Sequence, residues 1–125
     1  MKKSDPYPSV ETHELFEAIL LLKNEKEAAA FFRDLLTMAE ITEFTNRWQM
    51  VKMLTEGKSY LEIAEILKTS TATVTRVAHW LNSGHGGYKA VASRMFSKTF
   101  KDTIKRKPFK LRGKYTFLPN PNSME

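Results

Sequence analysis

The sequence contains no cysteine, and it has only five glycines and five prolines in 125 residues. Without thiolates, disulfides and cysteine-ligated metal sites are excluded, which fits the cytoplasmic location that we expect. The apolar run at residues 18–22 stops at Lys23, far short of the ~20 residues that cross a bilayer. Residues 1–14 carry acids and prolines where a secretion signal would be apolar, so we expect neither membrane association nor export.

Charge is unevenly distributed along the chain. Residues 1–96 hold twelve basic and twelve acidic side chains, whereas residues 97–125 hold eight basic and two acidic ones. Prolines at positions 6 and 8 predict a flexible arm at residues 1–11. Length and charge predict one folded domain at residues 12–97 and a basic, partly disordered tail at residues 98–125. Aromatic residues alternate with the cations of the tail, which favours a phosphate-contacting arm, although a merely solvated tail has the same composition.

Apolar residues recur at steps of three and four, which predicts an all-α fold of five to six helices. The predicted helices span residues 12–23, 25–36, 42–56, 60–68, 71–81 and 88–97. Thr12 and Ser59 are expected to cap the first and fourth helices, and Gly57 to end the third. The glycine-rich break at residues 82–87 favours a flexible joint over a phosphate-binding loop, because no strand precedes it.

Residues 59–81 have the pattern of a helix-turn-helix. The inward positions are apolar, with Ala64 as the small residue at the close approach of the two helices: Ile63, Ala64, Leu67, Val74 and Val77. The outward positions of the second helix carry short side chains, an arginine and a histidine: Thr71, Ala72, Thr73, Thr75, Arg76 and His79. Such a helix can enter the major groove of DNA. An ordinary helical hairpin is the alternative interpretation.

These positions predict specific contacts with double-stranded DNA. Four short side chains are expected to face the bases: Thr71, Ala72, Thr73 and Thr75. Ser59, Lys68 and Arg76 are expected to contact phosphates, and His79 to face DNA or solvent. Lys68 stands where many such turns have glycine, so the turn must either avoid a left-handed backbone or accept its strain.

Four segments, residues 47–57, 58–64, 70–77 and 84–88, resemble the Trp-repressor superfamily and, within it, the YerC/YecD group of TrpR-like proteins. The resemblance covers residues 12–95. It implies an interlocked homodimer in which apolar residues of the N-terminal helices become buried. It also implies a transcriptional regulator, a repressor by expectation, and two-fold symmetry then predicts a palindromic operator.

The resemblance also bears on a ligand. In the tryptophan-sensing members two arginines flank the bound indole, and Arg47 and Arg76 fall on those positions. Val77 replaces a glycine there, and Trp80 replaces a small serine, so the implied pocket is narrower and the Trp80 indole lies in the place of the ligand. We therefore expect an effector-independent regulator without a cofactor. The alternative is gating by L-tryptophan or another small molecule through the candidate pocket Arg47, Arg76 and Trp80.

The remaining residues predict neither metal binding nor catalysis. His13, His79 and His85 lie on different predicted elements, and no nucleophile is paired with a histidine. We therefore expect no enzymatic activity. The alternative from another class is an adaptor whose helix-turn-helix binds a protein and whose tail binds an acidic partner or RNA.

Deleting residues 98–125 is expected to flatten the dependence of DNA affinity on salt concentration, because each cation that contacts a phosphate steepens that dependence. Titration of one duplex with the full and shortened chains at several salt concentrations measures the slope. Deletion of residues 119–125, which contain no lysine or arginine, is the matched control. An unchanged slope after the longer deletion would contradict phosphate contact by the tail.

Overall fold

The computed structural model describes residues 6–96, and within this range the chain is all-α. Its helices are α1 Val10–Leu20, α2 Glu25–Leu35, α3 Met38–Thr55, α4 Tyr60–Leu67, α5 Thr71–Ser83 and α6 Gly87–Met95. The prediction of an all-α fold of five to six helices is confirmed. None of these six helices combines the length and apolarity needed to span a bilayer.

The first compact unit, Met1–Thr42, contains α1, α2 and the start of α3. The Ser9 hydroxyl accepts a hydrogen bond from the Thr12 backbone N–H at 3.1 Å. Ser9 is therefore the cap of α1, and the predicted cap at Thr12 is wrong by three residues. No residue of α1 or α2 is buried, so neither helix has a core of its own in the single chain.

The start of α3 also differs from the prediction. Thr37 and Glu40 form a reciprocal cap, in which the Thr37 N–H donates to the Glu40 carboxylate at 2.9 Å and the Glu40 N–H donates to the Thr37 hydroxyl at 3.1 Å. This pair starts α3 at Met38 rather than at Thr42. At the other end, Gly57 has φ +87° and follows the helix, as predicted, because only glycine enters that region without steric cost.

The second compact unit, Glu43–Glu125, contains the core. Its buried apolar residues come from α3, α4, α5 and α6: Met50, Val51, Leu54, Tyr60, Ile63, Ala64, Val74, Val77, Ala78, Leu81 and Ala92. Because α5 contributes four of these residues, one whole face of that helix is held by the core.

The joint after α5 is shorter than predicted. Asn82 is 4% exposed and belongs to α5, as does Ser83, so the break begins at Gly84. A side chain at Gly84 would collide with the Trp80 carbonyl oxygen, which explains the glycine there. The predicted end of the last helix at Ser97 and the basic tail lie outside the described residues. The division into arm, domain and tail stays a prediction.

Replacing Tyr60 with phenylalanine is expected to stabilise the fold. Tyr60 is fully buried, and its hydroxyl has no hydrogen-bond partner among the described residues. Loss of an unpaired buried hydroxyl should raise the free energy of unfolding by about 1 kcal/mol at pH 7. Chemical denaturation measures this change, and Tyr7→Phe at a 70% exposed position is the matched control.

The same variant is expected to change the pH dependence of stability. Burial raises the pKa of Tyr60 well above its usual value of 10.0. The unfolded chain therefore loses this proton near pH 10 while the folded chain keeps it, so folding stability contributed by Tyr60 is complete below pH 10 and lost above it. Denaturation curves above pH 10 should show a smaller decline for Tyr60→Phe than for the original chain, and equal declines would contradict this.

Candidate nucleic-acid interface

Helices α4 and α5 form the predicted helix-turn-helix. They pack against each other, and Ile63, Val74 and Val77 are at most 1% exposed. Ala64 is 5% exposed and lies in the same core cluster, with Leu67 packed against it. The inward residues are therefore those that the sequence predicted. Their burial fixes which face of α5 points outward.

The turn between the two helices contains a strained residue. Lys68 has φ 56° and ψ 51°, the left-handed conformation that costs a residue with a side chain about 1 kcal/mol or more. The backbone N–H groups of Lys68 and Thr69 both donate to the Ala64 carbonyl, the latter at 2.9 Å. These two hydrogen bonds hold the turn although it contains no glycine. The turn therefore accepts the strain of a left-handed backbone, which is one of the two predicted outcomes.

The start of α5 is capped by a residue that the sequence assigned only to the turn. The Ser70 hydroxyl accepts from the Thr73 backbone N–H at 3.2 Å, and it lies 3.0 Å from the Thr73 hydroxyl. On α4, Ser59 caps as predicted, accepting from the Glu62 backbone N–H at 3.1 Å. Helices α1 to α4 each carry a glutamate in the first turn, whereas α5 carries none. The positive end of the α5 dipole therefore has no acidic neighbour within its own helix.

The candidate DNA-contacting residues lie on the outside of this motif. The exposed members are Ser59, Lys68, Ala72, Arg76 and His79, and the half-buried members are Thr71, Thr73 and Thr75. Within residues 6–96 no carboxylate forms a salt bridge with Arg76, so its guanidinium charge is available to a partner. The DNA-binding roles of all eight candidate residues stay predictions.

Of the candidate ligand pocket, the structure brings Arg47 and Trp80 together. The Arg47 guanidinium carbon lies 5.8 Å from the Trp80 ring centre and 5.9 Å from the Phe44 ring centre, and the guanidinium also pairs with Glu43. These are cation–π distances. Trp80 belongs to α5, so this arginine connects α3 to the helix that carries the outward threonines.

An open recess of about 330 Å³ lies beside Arg47. It is lined by Phe44, Arg47, Trp48 and Tyr88, and neither Arg76 nor Trp80 is part of its wall. Burial raises the pKa of Tyr88 above its usual value, and the positive charge of Arg47 opposes that rise. Sequence reasoning missed this recess. The available signal was the spacing of Phe44, Arg47 and Trp48, which places all three on one side of α3.

Three aromatic rings, two of which line the recess, join α3 to α6 and to the residue that follows α6. The Trp48 ring stacks on Phe96 with centres 5.6 Å apart, and it lies 6.1 Å from the Tyr88 ring at a tilt of 42°. These contacts hold α6 against α3, so the recess has a firm wall of packed rings.

Comparison with known proteins gives consistent results. The family described as Trp repressor protein matches residues 10–96. The uncharacterised protein YerC of Bacillus subtilis is 39% identical over 85 residues, which cover 68% of this chain and 82% of YerC.

Two solved structures share the fold. A TrpR-like protein from Eubacterium eligens is 43% identical with a TM-score of 0.67, over 71% of this chain and 92% of that one. A Trp repressor candidate from Staphylococcus aureus is 39% identical with a TM-score of 0.65, over 70% of this chain and 88% of that one. The family match, the curated relative and both folds agree, and this chain therefore belongs to the Trp repressor family of DNA-binding regulators.

Proposed function

We propose that this chain is a sequence-specific regulator of transcription that binds double-stranded DNA as a homodimer and acts as a repressor at a palindromic operator. The outward face of α5 carries this proposal. It combines exposed Ala72, Arg76 and His79 with threonines that are half-buried, and α5 contains no acidic residue. Short side chains let a helix lie deep in the major groove, where their hydroxyl and methyl groups meet base edges and phosphates.

The electrostatics of the motif support a polyanionic partner. The N-terminal turn of α5 lacks the glutamate that α1 to α4 have, so a phosphate can interact with its dipole without competition from that turn. Lys68 and Arg76 are exposed at the turn and on the second helical turn of α5. Phosphate contacts by Ser59, Lys68 and Arg76 would fix the orientation, and Thr71, Ala72, Thr73 and Thr75 would read the bases.

Regulation is proposed to be independent of a small effector. Trp80 already lies against the Arg47 guanidinium, one of the two arginines that the resemblance assigns to a bound indole. An aromatic side chain in that contact connects α3 to α5 without a ligand. A tryptophan-gated repressor is the competing proposal, and a protein-binding adaptor is the competitor from another class.

Replacing Arg76 with alanine is expected to weaken DNA binding by about 1–3 kcal/mol, the range for one lost charged contact. Fluorescence anisotropy with a labelled duplex measures the change. Arg94→Ala is the matched control, because Arg94 is also exposed but lies on α6, outside the motif. Equal affinities of the Arg76 variant and the original chain would mean that α5 is not the recognition helix.

Binding-site selection from random duplex DNA, with and without L-tryptophan, tests the proposed function directly. A palindromic site recovered under both conditions is the expected result. Recovery only with L-tryptophan would establish the gated repressor instead. No enrichment under either condition would contradict DNA recognition and favour the adaptor. Calorimetry with L-tryptophan in the absence of DNA is expected to show no binding in the micromolar range.

A further inference from the structure

We infer that one exposed face of α4 is a docking surface for the basic tail of the same chain, and that DNA phosphates displace the tail from it. The segment that docks is residues 104–109. The inference rests on the proposed function and names a regulation of that same site, because a docked tail has fewer cations available for random DNA.

The outward face of α4 combines apolar and acidic side chains. Leu61 is 46% exposed and Ile66 is 48% exposed, whereas Ile63 on the inner side is fully buried. Glu62 and Glu65 are exposed as well. At about 100° per residue, these four residues follow one another around the helix so that the two carboxylates lie between the two apolar side chains. We call these four residues the acidic face of α4.

No described residue covers the acidic face. Helix α4 packs on α5 with its inner side, which belongs to the core. Neither Glu62 nor Glu65 forms a salt bridge within residues 6–96, and α4 itself contains no lysine or arginine that could pair with them. Covering Leu61 and Ile66 would remove apolar area from water, which is favourable. The face therefore suits an occupant that is both cationic and apolar.

Tail residues 104–109 have this composition. Ile104 and Phe109 are apolar, and between them Lys105, Arg106 and Lys107 form the longest run of cations in the chain. In both segments the charged side chains are flanked by an apolar residue on each side, and the charges are opposite. Such complementarity favours this segment over an acidic or a purely polar one.

The tail is long enough to reach the acidic face. The described residues end at Phe96, directly after α6, and α6 packs on α5 as α5 packs on α4. Two helix-to-helix spacings of this kind amount to about 20 Å. Lys105 is nine residues beyond Phe96, a length that spans up to about 30 Å. Because the tail is part of the same chain, its effective concentration at α4 is on the order of millimolar, so weak contacts are sufficient.

DNA and α4 compete for the cations of the tail. Ser59, a proposed phosphate contact, caps α4 by accepting a hydrogen bond from the Glu62 backbone N–H at 3.1 Å. A phosphate at Ser59 would therefore lie at the same end of α4 as Glu62, so tail cations would pass from carboxylate to phosphate over a short distance. Since each cation leaves a carboxylate before it binds a phosphate, a docked tail adds less affinity for random DNA than a free one.

Amide NMR spectra of the full chain without DNA test the docking. One variant replaces Lys105, Arg106 and Lys107 with glutamine, and its matched control replaces Lys110, Arg112 and Lys114, which removes the same charge further along the tail. The first variant is expected to shift the amide signals of the acidic face, and the control is expected to leave them in place. Equal shifts in both variants, or no shift in the first, would overturn docking of residues 104–109.

The apolar part of the contact has its own variant. Leu61→Gln with Ile66→Gln keeps the charge of α4, and both positions are half-exposed, so circular dichroism is expected to show an unchanged helix content. In this background the glutamine variant of residues 105–107 is expected to shift the Glu62 and Glu65 amides less than in the original chain. Undiminished shifts would overturn the contribution of the apolar side chains to docking.

Anisotropy with random duplex DNA tests the competition. Glu62→Gln with Glu65→Gln is expected to raise the affinity about threefold to tenfold with the original tail, the range for sub-millimolar contacts at a millimolar effective concentration. With glutamine at residues 105–107 the gain should be smaller. Glu11→Gln with Glu14→Gln, exposed residues of the same spacing on α1, is the matched control and should have the same effect with either tail.

Equal gains of the α4 variant with both tails would overturn the competition, because simple removal of repulsion between the carboxylates and DNA does not depend on the tail. The NMR test contains no DNA, so a negative result there overturns the docking and leaves the proposed function intact. Docking in a chain that selects no DNA site would instead overturn only the proposed function.

Discussion

The outward surface of α5 depends on what that helix buries on its other side. Val74, Val77 and Leu81 are at most 2% exposed and pack in one core with residues of α3 and α4. Each such side chain gains about 1.5–3 kcal/mol on full burial, so rotation of α5 about its axis would cost several of these contributions at once. A loop cannot hold threonines at a fixed depth in this way. The apolar core is therefore what makes the direction of Thr71, Thr75 and Arg76 a fixed property.

The sequence predicted the helix-turn-helix well because the residues that define this motif are close together along the chain. The period of the apolar residues assigns Ile63 and Val74 to the inside, and Ser59 and Gly57 mark a helix start and a helix end. Helix starts elsewhere were less predictable, since two hydroxyl residues compete within one segment. Thr37 caps α3 in preference to Thr42 because Glu40 stands at the spacing of a reciprocal cap.

The recess could not be predicted in the same way. Trp48 and Tyr88 are forty positions apart, and only the packing of α6 against α3 brings their rings together. Periodicity places each residue on a face of its own helix but does not state which helices meet. The burial of α1 could not be predicted either: its apolar residues were expected to become buried in a dimer, and in the single chain none of them is buried.

In the described part of the chain, acidic and basic side chains are nearly equal in number but are concentrated on different helices. Residues 6–96 carry ten basic and eleven acidic side chains, so the net charge of this segment does not attract a polyanion. Helices α1 and α4 contain no lysine or arginine, whereas α5 and α6 contain no aspartate or glutamate. Within the second unit, where the acidic α4 packs against the acid-free α5, this separation gives the electrostatic field a direction that orients a charged partner.

The left-handed backbone conformation of Lys68 limits which residues the turn of this motif can hold without strain. At most exposed positions a gain or loss of charge leaves folding nearly unchanged, but at Lys68 the side chain itself is the source of the backbone strain. A glycine would relax the turn and remove a cation from its surface in the same step. The stability of the fold and the positive charge at the surface of the turn therefore both depend on this one residue. A change to glycine at position 68 would therefore raise the stability of the fold and lower the positive charge of the turn together.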